Sequence, residues 1–143
     1  MVTEIYKQDV RKFIHLVDDR IWKKAIEKKY HMLGSIWETE IGMLPAGVMI
    51  YDIIDHPEHV GNSFIHIKWV YVSVAAKRPE AVYDDFFEEI YKVAVRRKIK
   101  QISITIPKVK EYNFELLSSY IGNRGYILME GSSGNVNAIL KLP

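Results

Sequence analysis

The sequence predicts a mixed α/β (α+β) fold, with a largely antiparallel central sheet flanked by helices. Apolar residues recur at three- and four-residue spacing in an early and a central segment, which is helical periodicity. The segments between and after them are short, rich in β-branched and aromatic residues, and punctuated by Gly, Pro and Asn, which reads as strands. The last two such runs flank a Gly/Ser/Asn turn and suggest a hairpin.

From Gln8 to about Tyr30 the apolar positions Val10, Phe13, Ile14, Val17, Ile21, Trp22, Ala25 and Ile26 follow the helical spacing. Asp18-Asp19 interrupts them and supplies a cap, so two helices are expected rather than one. Leu33 to Ile41 and Gly47 to Ile54 read as two strands around the turn Gly42-Met43-Leu44-Pro45-Ala46. The polar stretch Asp55 to Asn62 then connects to a long strand from Phe64 to about Val74. Pro79 to Ile99 carries an apolar stripe of Val82, Phe86, Phe87, Ile90, Val93 and Ala94, with carboxylates early and Arg96, Arg97 and Lys98 late. Those charges complement the helix dipole. Gln101 to Ile106 alternates as a strand that stops at Pro107, and a short helix from about Asn113 to Ile121 ends at Gly122-Asn123-Arg124-Gly125. Tyr126 to Glu130 and Asn137 to Leu142 form the closing hairpin.

With 143 residues, 48% of them hydrophobic and 27% charged, the chain has the length and composition of one globular domain spanning residues 1–143. Its 20 basic and 18 acidic residues leave a formal charge of +2, too small an excess to suggest a nucleic-acid footprint. The absence of cysteine excludes disulfides, zinc thiolates and thiol nucleophiles. No apolar run approaches the ~18 residues a membrane span needs, and the first residues lack a signal peptide's apolar core, so a cytoplasmic location is expected.

The most informative segment is Trp69-Val70-Tyr71-Val72-Ser73-Val74-Ala75-Ala76-Lys77-Arg78-Pro79-Glu80. A strand runs there into a basic turn at a helix N-terminus, which offers backbone amides and a positive dipole to an anion. That segment, in this order of elements, resembles the GNAT superfamily of acyl-CoA-dependent N-acetyltransferases. Asn113-Phe114-Glu115-Leu116-Leu117-Ser118-Ser119-Tyr120, followed by Gly125-Tyr126, is similar to the family's late helix and the strand after it.

The resemblance implies acetyl-CoA, or another acyl-CoA, as co-substrate and an amine as acceptor, whether a small amine, a peptide N-terminus or a lysine. It places the pantetheine arm against Val70, Tyr71 and Val72, and the pyrophosphate on the amides of Lys77, Arg78, Pro79, Glu80, Ala81 and Val82. Asn113 would sit beside the cofactor, and Tyr120 would protonate the leaving thiolate. The family's loop pattern, Arg/Gln-x-x-Gly-x-Gly/Ala, is degenerate here: counted from Lys77 its glycine positions hold Glu80 and Val82, and from Arg78 they hold Ala81 and Tyr83. A domain of this fold that has lost catalysis and works as a binding or regulatory module is the alternative.

Each candidate residue also has a plainer reading. Lys77 and Arg78 suit a solvated turn, Pro79 suits helix initiation, and Asn113 suits an N-cap. Tyr120 suits ring packing with a hydrogen-bonded hydroxyl. His66 and Lys68 share a strand face, where His66 is the candidate base because imidazole titrates near neutrality. His56-Pro57-Glu58-His59 lacks the helical His spacing of a zinc peptidase and reads as a solvated turn, so no metal is expected. Trp22, Tyr30 and Trp37 either line an acceptor pocket or belong to the core. The final strand, Asn137 to Leu142, is an edge that would pair across a homodimer interface.

Overall fold

The computed structural model describes residues 2–5, 10–55, 63–107, 114–131 and 134–143. Its strands are β1 (Val2–Glu4), β2 (His31–Thr39), β3 (Gly42–Ile54), β4 (Phe64–Val72), β5 (Gln101–Ile106), β6 (Ile127–Glu130) and β7 (Val136–Lys141). Its helices are α1 (Val10–Phe13), continued by a 3-10 turn over Ile14–Leu16, then α2 (Asp19–Glu27), α3 (Pro79–Arg96) and α4 (Phe114–Asn123). The strands form one sheet in the order β1-β2-β3-β4-β5-β7-β6, so the final strand, expected at an edge, is enclosed between β5 and β6, both of which take up its backbone groups, and β6 is the edge instead. All the sheet's pairings among the described residues are antiparallel except β4 with β5, as the α3 crossover between those two strands allows.

Two early helices form as expected, and Asp18 is the N-cap of the second, its side chain accepting from the Arg20 amide at 2.8 Å. β1 is an addition that sequence reasoning missed, because three residues are too few to show a period; it pairs with Leu33–Ser35 of β2. The segment Gly42 to Ala46, read as a turn, belongs instead to β3, and the turn shrinks to Glu40-Ile41 before Gly42 at φ 118°. Pro45 misled that reading. It is tolerated in the ladder at a bulge, where Ser35 pairs with Gly47 and Ile36 with Pro45, leaving Ala46 over. β4 ends two residues earlier than expected, at Val72, and α3 ends at Arg96, with Lys98 at φ 58° turning the chain toward β5. His56, Pro57, Glu58, His59 and Asn113 lie outside the described residues.

Strand alternation splits the core in two. Ala46, Met49 and Tyr51 of β3 face α3 and α4, with Ile65, Ile67, Val70 and Val72 of β4 and the α3 stripe. Val48 and Ile50 face the other way, onto Phe13, Trp22 and Ala25 of α1 and α2. Gly47 lets α3 approach the sheet: a Cβ there would lie 2.9 Å from Phe86, from Val82 and from the Tyr71 carbonyl. No helix among the described residues is long and apolar enough to cross a membrane.

Candidate active site

β4 and β5 pair only from Phe64↔Gln101 to Ile67↔Ile104. Beyond Ile67, β4 runs on to Val72 and β5 turns away at Pro107. A bulge marks the point of parting: Ile50 pairs with Trp69 and Tyr51 with Ile67, so Lys68 has no Cα partner on β3. The extra residue shifts the alternation, and Lys68 and Trp69 join His66 on the α2 side of the sheet. There they line a cavity of about 670 Å³ with Arg20, Ile21 and Lys24 of α2, Tyr30, Ile50 of β3 and Thr105 of β5.

His66 is held in this cavity. Its Nδ1 lies 2.7 Å from Oγ of Ser103, its register partner on β5. Burial, and then the Lys68 ammonium, push its pKa below the usual imidazole value, against the opposing pull of Asp52. Both effects favour the neutral ring, the state a proton acceptor needs. Lys68 reaches over the Tyr30 ring, 5.3 Å from its centroid. Of the three aromatic residues considered for an acceptor pocket, Tyr30 alone lines this one. Trp22 is buried and donates Nε1–H to the Ile14 carbonyl at 3.3 Å. Trp37 donates Nε1–H to Asp85 at 2.6 Å.

The turn before α3 is built differently from a glycine loop. Ala76 bridges to Thr39, and the Lys77 amide donates to the Glu38 carbonyl at 3.3 Å, so the turn is fastened to β2. Lys77 Nζ also lies 3.4 Å from the Glu38 carboxylate, and the Arg78 guanidinium sits 6.0 Å from the Trp37 ring centroid. Arg78 is the N-cap of α3 and gives it no side-chain capping bond; Pro79 opens the helix, and the amides of Ala81 and Val82 both point back to the Arg78 carbonyl. The exposed Glu80 side chain shares that first turn, while Val82 is buried against the sheet. In β4, Val70 and Val72 point into the α3-side core, and Tyr71 packs on the α1/α2 side.

Tyr120 is not among the residues lining the His66 cavity. Its ring packs on the α3 side against Tyr83 and Phe87, with centroids 5.2 and 5.5 Å away. Its hydroxyl donates to the Asp84 carboxylate in a short hydrogen bond and accepts from Arg124 Nη1 at 3.1 Å. Burial, then the bond to Asp84, drives its pKa well above the ordinary tyrosine value. Tyr83 is fully buried in that same core and does not fill the cavity on the opposite side.

Sequence reasoning missed Ser103, which orients His66, and Arg20 and Lys24, which bring charge to the cavity. The period-two match of His66 with Ser103 depends on strand register, which no local signal reveals. Arg20 and Lys24 are visible as an i,i+4 pair on one helix face, but only the fold shows what that face covers.

No protein-family model matches the chain, and no curated protein matches it significantly in sequence. Solved structures do match it in fold. A GNAT-family acetyltransferase from Listeria monocytogenes aligns over 99% of this chain and 94% of its own, at 16% identity and a TM-score of 0.62. A ribosomal-protein-alanine N-acetyltransferase from Brucella melitensis aligns over 99% of each chain, at 12% identity and a TM-score of 0.60. A chain of the NatC complex bound to Gag peptide and CoA aligns over 100% and 97%, at 10% identity and a TM-score of 0.68. At such identities the likeness is one of architecture. The chain has the fold of GNAT-family acetyltransferases of known structure.

Proposed function

We propose that the protein is an acyl-CoA-dependent N-acetyltransferase in which His66 serves as the base for an amine acceptor. The observation that carries this reading is the Ser103-held imidazole lining a cavity at the point where β4 and β5 part. Acetyl-CoA would supply an activated acetyl thioester for transfer to the amine.

The residues present fit such a co-substrate. The N-terminus of α3 has no capping side chain, so its dipole faces a diphosphate, although Pro79 brings no N–H and the Ala81 and Val82 amides are turned to the Arg78 carbonyl. Lys77 and Arg78 stand at its rim, and Tyr71 and Val72 continue β4 from that rim toward the cavity. On the acceptor side, in the tautomer whose Nδ1–H donates to Ser103 Oγ, Nε2 of His66 takes the proton that the amine sheds as its C–N bond forms. Trp69, Ile50 and Tyr30 keep the reacting amine partly out of water.

Tyr120 remains the family-implied acid for the departing sulfur. To act so it must turn its hydroxyl away from Asp84; in its present bond it fastens α4 to α3.

The second reading, a binding or regulatory module without catalysis, is favoured by the fastened turn. The Lys77 amide is already spent on Glu38, no glycine brings backbone near a phosphate, and Glu80 adds negative charge there. Calorimetric titration of the CoA-free protein with acetyl-CoA, beside a Lys77→Ala/Arg78→Ala variant, decides between them. Saturable binding that weakens in the variant is expected; no binding at millimolar acetyl-CoA would refute the enzyme and leave the module.

A further inference from the structure

The cavity beside His66 has an unbalanced charge. Arg20 and Lys24 line its solvent-facing rim from consecutive turns of α2, and the exposed Lys68 lines it from the β4 bulge. Among the described residues the one carboxylate lining it is Asp18, which caps α2, accepting from the Arg20 amide at 2.8 Å and from Arg20 Nε at 3.2 Å; Asp52, the register partner of His66 on β3, acts on the imidazole from outside the lining. The neighbouring Asp19 pairs with Lys23, 3.7 Å away. His66 adds no negative charge. Among the described residues, three cations, one of them shared with Asp18, outnumber the Asp18 and Asp52 carboxylates around walls made by Ile21, Ala25, Ile50 and Trp69.

An amine in water is itself a cation, and a cavity of this sign repels it unless the same molecule brings a negative group. We infer that the acceptor is an amine carrying a carboxylate on an apolar body. Arg20 and Lys24 receive the carboxylate, Ile50 and Trp69 take the body, and the amine lies at His66. This assignment rests on the acetyltransferase reading for what happens to the amine, but not for the preference between ligands. Lys68 contributes twice, attracting the carboxylate and favouring the unprotonated amine, since a nearby like charge disfavours a cation. Polyamines and lysine-rich segments, with cations and no anion, are excluded on the same ground.

The test measures binding of matched probes to the full chain without acetyl-CoA, so that a missing co-substrate site cannot mask the result. By calorimetry, 4-(2-aminoethyl)benzoate should bind at least tenfold more tightly than 2-phenylethylamine, and spermidine should be the weakest. The difference should shrink as salt rises. Lys24→Glu and Arg20→Glu, at exposed helix positions and checked for folding by circular dichroism, should erase the preference, and Lys24→Arg should keep it. Equal affinity for the two aromatic amines, tighter spermidine binding, no binding of any probe, or a preference untouched by both charge reversals would each overturn the assignment. Thiol release from acetyl-CoA with the same probes then tests the chemistry separately: a bound carboxylate probe that is not acetylated would refute the transferase reading and leave the ligand class standing.

Discussion

Replacing Tyr120 by phenylalanine separates the two roles open to this residue, because each predicts a different observable. The ring contacts with Tyr83 and Phe87, at 5.2 and 5.5 Å between centroids, survive the change. What is lost is a hydroxyl that donates to Asp84 and accepts from Arg124. A hydrogen bond to a charged partner contributes about 1.5–3 kcal/mol. The Asp84 side chain is 49% exposed and keeps Arg124 at 3.4 Å, so water and the remaining ion pair reduce the loss to about 1–1.5 kcal/mol. For a chain of 143 residues, an unfolding entropy of about 2.1 cal/mol/K per residue converts this to a fall in Tm of roughly 3–5 °C. If Tyr120 chiefly fastens α4 to α3, differential scanning calorimetry of Tyr120→Phe shows that fall, and turnover with acetyl-CoA and a productive amine changes less than threefold. Asp84→Asn, which weakens the same link, should then resemble it. A loss of kcat of about a hundredfold or more, with Tm unchanged, is the signature of a lost general acid and would refute the fastening argument.

The remaining predictions follow from groups whose surroundings are equally specific. His66→Gln should leave acetyl-CoA binding intact while lowering kcat/KM by about 10²–10⁴. On the proposed activity, the acid limb of the unmutated protein's pH profile should fall below the usual imidazole value of 6.5, because burial and Lys68 depress His66 more than Asp52 raises it. The same depression means that the stability His66 contributes is present above pH 6.5 and declines as pH falls through its folded-state pKa, which urea titrations between pH 7 and 4.5 would show. At the alkaline end, burial holds Tyr83 up to about 12 and drives Tyr120 and Tyr126 higher still. Stability is full below the unfolded-tyrosine value of about 10 and drains as pH rises above it, with Tyr83 alone accounting for up to about 3 kcal/mol. A urea midpoint that stays flat from pH 9 to 11.5 would contradict this. Gly47→Ala should cost about 1–3 kcal/mol, since its methyl would lie 2.9 Å from the Tyr71 carbonyl, Val82 and Phe86; a parent-like Tm would show that α3 yields more readily than its packing implies.

The long elements were legible in the sequence because each has a periodic face that the sheet must cover. The α3 stripe and the alternating Gln101–Ile106 are examples, and their ends moved by no more than a few residues. The Asp18 cap was legible for a local reason, its side chain satisfying an amide two residues away. What could not be read locally was register. The two bulges, one admitting Pro45 and one turning Lys68 beside Trp69, are set by which residues stand opposite on the neighbouring strand. Site geometry depends on them: without the second bulge, strict alternation would put Trp69 on the α3 side of the sheet, away from His66. Trp37 shows the opposite limit. Its aromatic character suggested a pocket wall, but its indole N–H is fixed by Asp85, a residue 48 positions away.

The turn before α3 brings these threads together. A glycine-rich loop reaches a diphosphate by bringing its bare backbone close, and its conformation is free to adapt. Here Ala76, Lys77 and Arg78 are instead anchored by a bridge to Thr39, a bond to Glu38 and the face of Trp37. Trp37 is fixed in turn through Asp85 to α3 itself, and Ser35 donates to the same carboxylate at 3.2 Å. β2, the turn and the start of α3 thus form one braced unit whose shape is set before any ligand arrives. Such bracing lowers the ordering cost of binding but removes the amide of Lys77 from use. Recognition of an anion must then rest on the uncapped helix end and on the Lys77 and Arg78 side chains, whose attraction is screened by salt. Affinity for acetyl-CoA should accordingly fall steeply between low and physiological ionic strength. A loop that binds through backbone amides would be far less sensitive.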